Sequence, residues 1–268
     1  MFFVSISLVI LAIVATALFG LRFGTDFKGG ALMEVNFEKE GRPETARVQE
    51  VLSGLDLGEI SISPAGEDSF ILRTKEVDEP THQAILSVLK SAFPNIQEDR
   101  FDSVGAVIGG ELKRKSLTAI ILVLTLIVIY IGIVFRKLAG ILPPLAMGLA
   151  TIVALMHDVL IPIGVFALLG HYYEVEISAV FVAAVLTILG YSVSDTVVIF
   201  DRVRENILRY GRQENLASLV HTSIKQTLTR SLNTTFTTLL SLLAIFFFGG
   251  ETLKYFALAL IIGIFLGA

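Results

Sequence analysis

Residues 189–206 read LGYSVSDTVVIFDRVREN. They close a run of apolar residues from Ile177 to Phe200 that is long enough to cross a bilayer, yet Asp195 falls before that run ends. A carboxylate at the centre of a spanning helix costs about 2.5 to 3.5 kcal/mol on insertion scales, so such a residue faces a helix bundle or a wet cavity and has a partner. If the span ends near Asp201 and Arg202, Asp195 lies about 10 Å inward at 1.5 Å per residue, beyond the interface. Counting back in steps of three and four places Ser192, Tyr191 and Thr187 on its face, with Val, Ile, Leu and Ala elsewhere.

The rest of the chain agrees with a membrane setting. Its 268 residues are 54% hydrophobic, with 19 Phe, no Trp and no Cys, and its mean hydropathy is +0.76. These values belong to polytopic membrane proteins. The missing cysteines exclude disulfides, thiol nucleophiles and cysteine metal sites. A net charge of −4 with no basic tract gives no sign of nucleic acid. Apolar runs of the roughly 20 residues needed to cross about 30 Å of hydrocarbon occur at 2–21, 117–135, 139–169, 177–200, 231–248 and 253–268, which predicts six transmembrane helices. The first could instead be a signal peptide, because Ala15-Thr16-Ala17 resembles a cleavage site, but no positive segment precedes it. The last run stops at Gly267-Ala268 with no polar anchor, so the native chain is expected to continue.

Short loops fix the orientation. Arg136-Lys137 and the segment holding Arg202, Arg204, Arg209, Arg212, Lys225 and Arg230 are basic, whereas HYYEVE (171–176) has acids and no Lys or Arg. The positive-inside rule makes the basic loops cytoplasmic, including one near 202–229, and puts residues 22–115 outside. Lys113, Arg114 and Lys115 oppose the rule, but long translocated segments tolerate such charges.

Residues 22–115 change from apolar runs to short alternations. GALMEVNF sets Met33, Val35 and Phe37 against Leu32, Glu34 and Asn36, a half-buried strand. RPETARVQEVLSGL predicts a helix with Val48, Val51, Leu52 and Leu55 on one face. EISIS and SFILRT are two strands around a turn at Pro64 to Asp68. EPTHQAILSVLKSAF predicts a second helix with Ile85, Val88, Leu89 and Ala92 inward, and NIQEDRFDSVG a fourth strand. The order βαββαβ predicts a small α+β, ferredoxin-like domain between the first and second transmembrane helices, serving as a docking platform without metal-ligand spacing. The domains are therefore 1–21, 22–115 and 116–268. At the junction, FGTDFKGG offers Asp26, Phe27, Gly29 and Gly30; the glycines permit a tight turn, and Asp26 can bond its amides.

The fifth span carries Arg230, Asn233, Thr234, Thr237, Thr238 and Ser241 at i, i+3, i+4, i+7, i+8 and i+11, a single polar stripe. Two striped helices should pack stripe to stripe, bringing Arg230 toward Asp195, unless Arg230 snorkels to headgroups and the hydroxyls only join helices. In the third span, His157-Asp158 precedes Pro162, where a kink is expected; the two are either a titratable pair or satisfy backbone groups freed by the proline. Burial disfavours a charged carboxyl and a nearby arginine favours it, so an aspartate whose arginine can move away ties two protonation states to two geometries. A membrane potential supplies about 2.3 kcal/mol per charge per 100 mV to bias such an element.

These motifs, GTDFKGG, HDVLIPIGVFALLG, GYSVSDTVVIFDRVREN and QTLTRSLNTTFTTLL, resemble in order the SecF family of the bacterial SecD/SecF export complex, within the resistance-nodulation-division (RND) superfamily. Ser194 stands where that family usually has Asn. The resemblance implies a non-enzymatic half of a twelve-helix assembly made with SecD, linked to the SecY/SecE/SecG channel and YajC in the inner membrane. It also implies use of the proton-motive force on unfolded preproteins, with protons passing Asp195 and Arg230, less securely Asp158, and no cofactor or metal. Two other readings remain. An RND-like exporter of lipids or small molecules usually duplicates this half and has larger external domains. An intramembrane aspartyl protease would use Asp158 and Asp195, but G-x-G-D is absent and an arginine partner would oppose its chemistry.

Overall fold

The computed structural model describes residues 2–37, 41–138, 141–210 and 215–267. The chain divides into two compact units, Met1–Arg22 with Leu117–Ala268, and Phe23–Ser116.

The membrane-like unit is built from long apolar helices: α1 (Phe2–Phe19), the later part of α5 (Ala106–Val134), α6 (Pro144–Tyr172), α7 (Ala179–Tyr210), α8 (Leu216–Phe248) and α9 (Glu251–Gly267). Four of them, α5 to α8, are long and apolar enough to cross a membrane, while α1 and α9 are shorter apolar helices. Helix α6 packs on α1, α7 and α9, and α7 packs on α8 and α9. Close approach of α1 and α6 depends on Gly164, where an added Cβ would fall 2.3 Å from Ala12 Cα. Small residues let transmembrane backbones meet in this way. Helix α6 runs on through Pro162 without interruption.

The apolar runs understate these helices. Helix α5 begins eleven residues before the run at 117, and the expected loop near 202–229 is largely helical, with α7 continuing to Tyr210 and α8 starting at Leu216. The cause is packing: Val203 and Ile207 bury against Ile131, Phe135 and Leu219. Asn206, only 2% exposed, donates to Ser223 Oγ at 2.8 Å and Gln226 Oε1 at 3.1 Å. Hydropathy marks where helices are apolar, not where they are helical.

The second unit contains the short helix α2 (Thr25–Lys28), β1 (Gly30–Asn36), α3 (Thr45–Leu52), β2 (Ser61–Ala65), β3 (Ser69–Thr74), α4 (Glu79–Ala92), β4 (Gln97–Val104) and the start of α5. The strands form one antiparallel sheet in the order β2-β3-β1-β4. One face carries Ala31, Met33, Val35, Phe70 and Leu72, and α3 and α4 cover it with Val48, Leu52, Ile85, Leu86 and Leu89. Val51, Leu55 and Ala92 pack at its margin. Val88 is half-buried and Leu86 takes its inward place.

Pro64 and Ala65 belong to β2, so the turn narrows to residues 66–68. A proline is tolerated there because β2 is an edge strand. A bulge between Glu34 and Val35 leaves Asp99 of β4 without an opposite residue. The extra residue brings Glu98 to the same side as Phe101. Buried His82 of α4 stacks on Phe101 at 3.8 Å and reaches Glu98 Oε1 with Nε2 at 2.8 Å.

Candidate functional site

The site lies in the helical unit and follows from helix lengths. At 1.5 Å per residue, Asp195 is about 24 Å along α7 from Ala179, Ser231 about 26 Å along α8 from Phe248, and Asp158 about 21 Å along α6 from Tyr172. Because α6, α7 and α8 are joined in sequence and packed in that order, the three residues fall at one depth. There they line a cavity of about 470 Å³ that also takes in His157, Ser192, Thr227 and Gly267.

Ser231 Oγ donates to Asp195 Oδ1 at 3.1 Å, and one turn away Tyr191 Oη donates to Thr235 Oγ1 at 3.2 Å. Ser192 is buried at 7% exposure on the same wall. Asp158 is the most enclosed carboxyl, 4% exposed, and His157 Nδ1 lies 2.8 Å from its Oδ1. A Cβ on Gly267 would fall 2.8 Å from Asp158 Cγ, so α9 closes that side only because glycine stands there. His157 and Asp158 are thus paired with each other by their side chains. The arrangement holds two carboxyls, an imidazole and several hydroxyls along one partly open cavity whose other walls are apolar, among them Val153, Ile199, Ile224 and Leu228; titratable groups gathered at membrane depth are of the kind that can carry protons.

The expected meeting of stripes does not occur. Arg230, Asn233, Thr234 and Thr237 are exposed on α8, and the threonines turn inward on their own helix, Thr234 Oγ1 to Arg230 O at 2.9 Å and Thr237 Oγ1 to Asn233 O at 3.0 Å. Thr187 is likewise exposed and bonds Ala183 O at 2.8 Å. A hydroxyl satisfied by the carbonyl four residues back has no need of a neighbouring helix. The α7 side is met instead by the row Ser223, Thr227, Ser231 and Thr235, spaced at four. Three of these are buried, and their small side chains allow close packing. The observed partner of Asp195 is Ser231, next to Arg230 in sequence; no ion pair joins Arg230 to Asp195 among the described residues. Ser231, Thr235 and Asn206 escape the sequence reading, although the i+4 row that holds Ser231 and Thr235 is visible in the sequence.

Asp26, Phe27, Gly29 and Gly30 lie in the other unit. Phe27 is buried and meets Phe23 edge-on at 5.7 Å. Gly29 has φ +79, and a Cβ there would fall 2.6 Å from Ala106 Cα; Gly30 has φ +126 and sits against Thr74 O. The pair therefore seats the start of α5 on the junction. At the far end of α1, Arg22 pairs with Glu174 at 3.3 Å and Glu176 at 3.9 Å, gathering the acids of HYYEVE.

Among the described residues no His/Cys/Asp/Glu group is disposed to hold a metal ion.

Residues 84–268 match the family described as protein export membrane protein SecD/SecF, C-terminal, and residues 14–40 match the SecD/SecF GG motif. The chain is 41% identical to the protein translocase subunit SecF of Thermobaculum terrenum, over 99% of this chain and 86% of that protein. It is 35% identical to the same subunit of Anaerolinea thermophila, with the same two coverages. Its fold is similar to SecDF of Thermus thermophilus, described as a translocon-associated membrane protein, with TM-score 0.82 and 32% identity. That match covers 98% of this chain and 35% of the SecDF chain. A second SecDF structure, in a super-membrane-facing form, matches with TM-score 0.65. A match over more than half its length, and relatives this similar over nearly all of it, place the chain in the SecF family of protein translocase subunits.

Proposed function

We propose that the chain is a non-enzymatic accessory subunit of the Sec protein translocase that spends the proton-motive force on moving preproteins across the cytoplasmic membrane. One observation carries the coupling part: Asp195 and Asp158 reach the same depth on adjacent helices and line one cavity. On this reading protons pass Asp195 and Asp158, and Arg230 serves the same path from the outer side of α8. Six helices cross the membrane, with α1 and α9 completing the four longer ones. The domain of residues 22–115, ferredoxin-like by its strand order, lies outside the cytoplasm. The basic loops and the acidic loop gathered by Arg22 support that orientation.

SecD is the partner this reading requires. The stripe of Arg230, Asn233, Thr234 and Thr237 is exposed on the single chain, and a polar stripe at membrane depth calls for protein or water rather than lipid. The SecY/SecE/SecG channel and YajC would complete the assembly. The test is preprotein translocation into inverted vesicles carrying Asp195→Asn with SecD. Stimulation by the gradient should disappear while ATP-driven translocation persists; stimulation at the wild-type level would make Asp195 a structural residue and the coupling reading wrong.

A further inference from the structure

Ser231 spends the one hydrogen of its hydroxyl on Asp195, so the contact depends on how α8 is aligned along α7. Elsewhere in the same row the hydroxyl turns inward: Ser223 Oγ donates to Leu219 O at 2.7 Å and Thr227 Oγ1 to Ser223 O at 3.1 Å. Ser231 Oγ instead crosses to Asp195 Oδ1 at 3.1 Å. One turn along each helix, in opposite directions, leads to Tyr191 bonded to Thr235 on one side and to Ile199 and Thr227, both lining the cavity, on the other. Moving α8 by one residue in this register would shift Ser231 by about 1.5 Å and turn it by about 100°.

Most of the interface does little to oppose such a slip. The small side chains of the row allow close approach, and Val203, Ile207 and Leu219 bury with Ile131 and Phe135 through apolar contacts that have no direction. Asn206 is different. It is 2% exposed and lies about 16 Å along α7 from Asp195, beyond the apolar run and outside the cavity lining. Both hydrogens of its amide go to α8, to Ser223 Oγ at 2.8 Å and to Gln226 Oε1 at 3.1 Å. In another register the amide would be buried without these acceptors. A buried asparagine fixes the register of packed helices in this way, with no gain in stability over an apolar residue.

Resting on the proton-coupling reading above, we infer that Asn206 is a positioning residue for Asp195: it sets the register of α8 against α7 and thereby holds Ser231 on the Asp195 carboxyl. It acts from outside the cavity, through alignment alone.

The experiment uses the full chain with SecD in inverted vesicles and compares gradient-stimulated with ATP-driven preprotein translocation. The register is read separately by oxidative cross-linking of Ile199→Cys with Thr227→Cys, in a chain that has no other cysteine. Asn206→Leu keeps the space filled with a side chain of similar size, so the unfolding midpoint and ATP-driven translocation should stay at wild type. Cross-linking and gradient stimulation should each fall at least about fivefold, the weight of one net hydrogen bond on an equilibrium. Ser223→Ala removes an acceptor from the other helix and should lower both as well, though less, because Gln226 still accepts. Wild-type values of both in either variant overturn the inference, since a residue that only stabilised the helix pair would be replaced by leucine without loss. Slowed cross-linking with full stimulation overturns it too, because the register would then not matter to the site. Asp195→Asn run in parallel separates the two claims: loss of stimulation there but not in Asn206→Leu leaves coupling without this positioning role, and full stimulation there ends both.

Discussion

Asp78 and Asp195 illustrate two uses of a carboxyl on a helix. Asp78 caps α4, accepting from the Thr81 amide at 3.1 Å. The Thr81 side chain, and after it this amide, hold its carboxyl below the usual range. A lowered folded value contributes stability above the ordinary carboxylate pKa of about 3.9, and the contribution is lost as pH falls through the folded value. Asp78→Ala should therefore speed hydrogen exchange at the Thr81 amide at neutral pH. The difference from wild type should shrink below about pH 3.9, while Asp78→Asn, which keeps a cap, should stay close to wild type. A difference constant through acid pH would mean the cap is not what protects that amide. Asp195 was legible for the opposite reason, since it breaks an apolar run where nothing local asks for a carboxyl. Its partner was not: Ser231 looks like any interfacial serine until the row from Ser223 to Thr235 is read as a packing surface, and the more conspicuous Arg230 beside it draws the eye.

Among elements, the glycines divide into those that only turn the chain and those that also let backbones touch. Gly66 has φ +59 with nothing within 4 Å of an added Cβ, whereas Gly29 has φ +79 and Ala106 Cα at 2.6 Å. Alanine costs about 1 kcal/mol at a compatible left-handed position and more where backbone must move. Gly29→Ala should lower the unfolding midpoint of the chain by clearly more than Gly66→Ala; equal midpoints would remove the close-approach role assigned to the glycine pair. In the helical unit Gly164→Leu drives a side chain into Ala12, and overpacking of this kind costs about 1 to 3 kcal/mol. It should lower resistance to unfolding in mixed detergent, with cysteines placed on α1 becoming reactive; unchanged reactivity would contradict the α1–α6 contact. The strands, α3 and α4 were readable because alternation and helical periodicity report which side is buried. Pro64 reads as a turn signal, but in the edge strand β2 its missing donor costs nothing. The ends of α7 and α8 were unreadable because Asn206 and Ser223 bury through a mutual hydrogen bond, which a hydropathy scale scores as polar and therefore as loop.

At the scale of the whole molecule, two faces of α8 have different surroundings. The row through Ser231 packs on α7 within this chain, and the stripe through Thr237 is exposed. Because the chain has no cysteine, single cysteines report cleanly. Thr234→Cys and Thr237→Cys should react with a water-soluble maleimide several-fold more slowly when SecD is co-expressed, and equal rates with and without SecD would place the partner elsewhere. The sequence pattern identified the polar stripe but not the row of α8 that packs on α7, because helical spacing tells which residues share a face and not which helix that face meets. The proposed proton coupling rests on the other face, where α6, α7 and α8 bring two aspartates and a histidine to one depth.

Proton movement itself is the most direct test of that claim. Proteoliposomes containing this chain with SecD and a trapped pH-sensitive dye would be given an acid pulse outside in the presence of a membrane potential. The account predicts a protein-dependent proton flux that Asp195→Asn reduces to the level of protein-free liposomes. A flux that survives Asp195→Asn undiminished would contradict it.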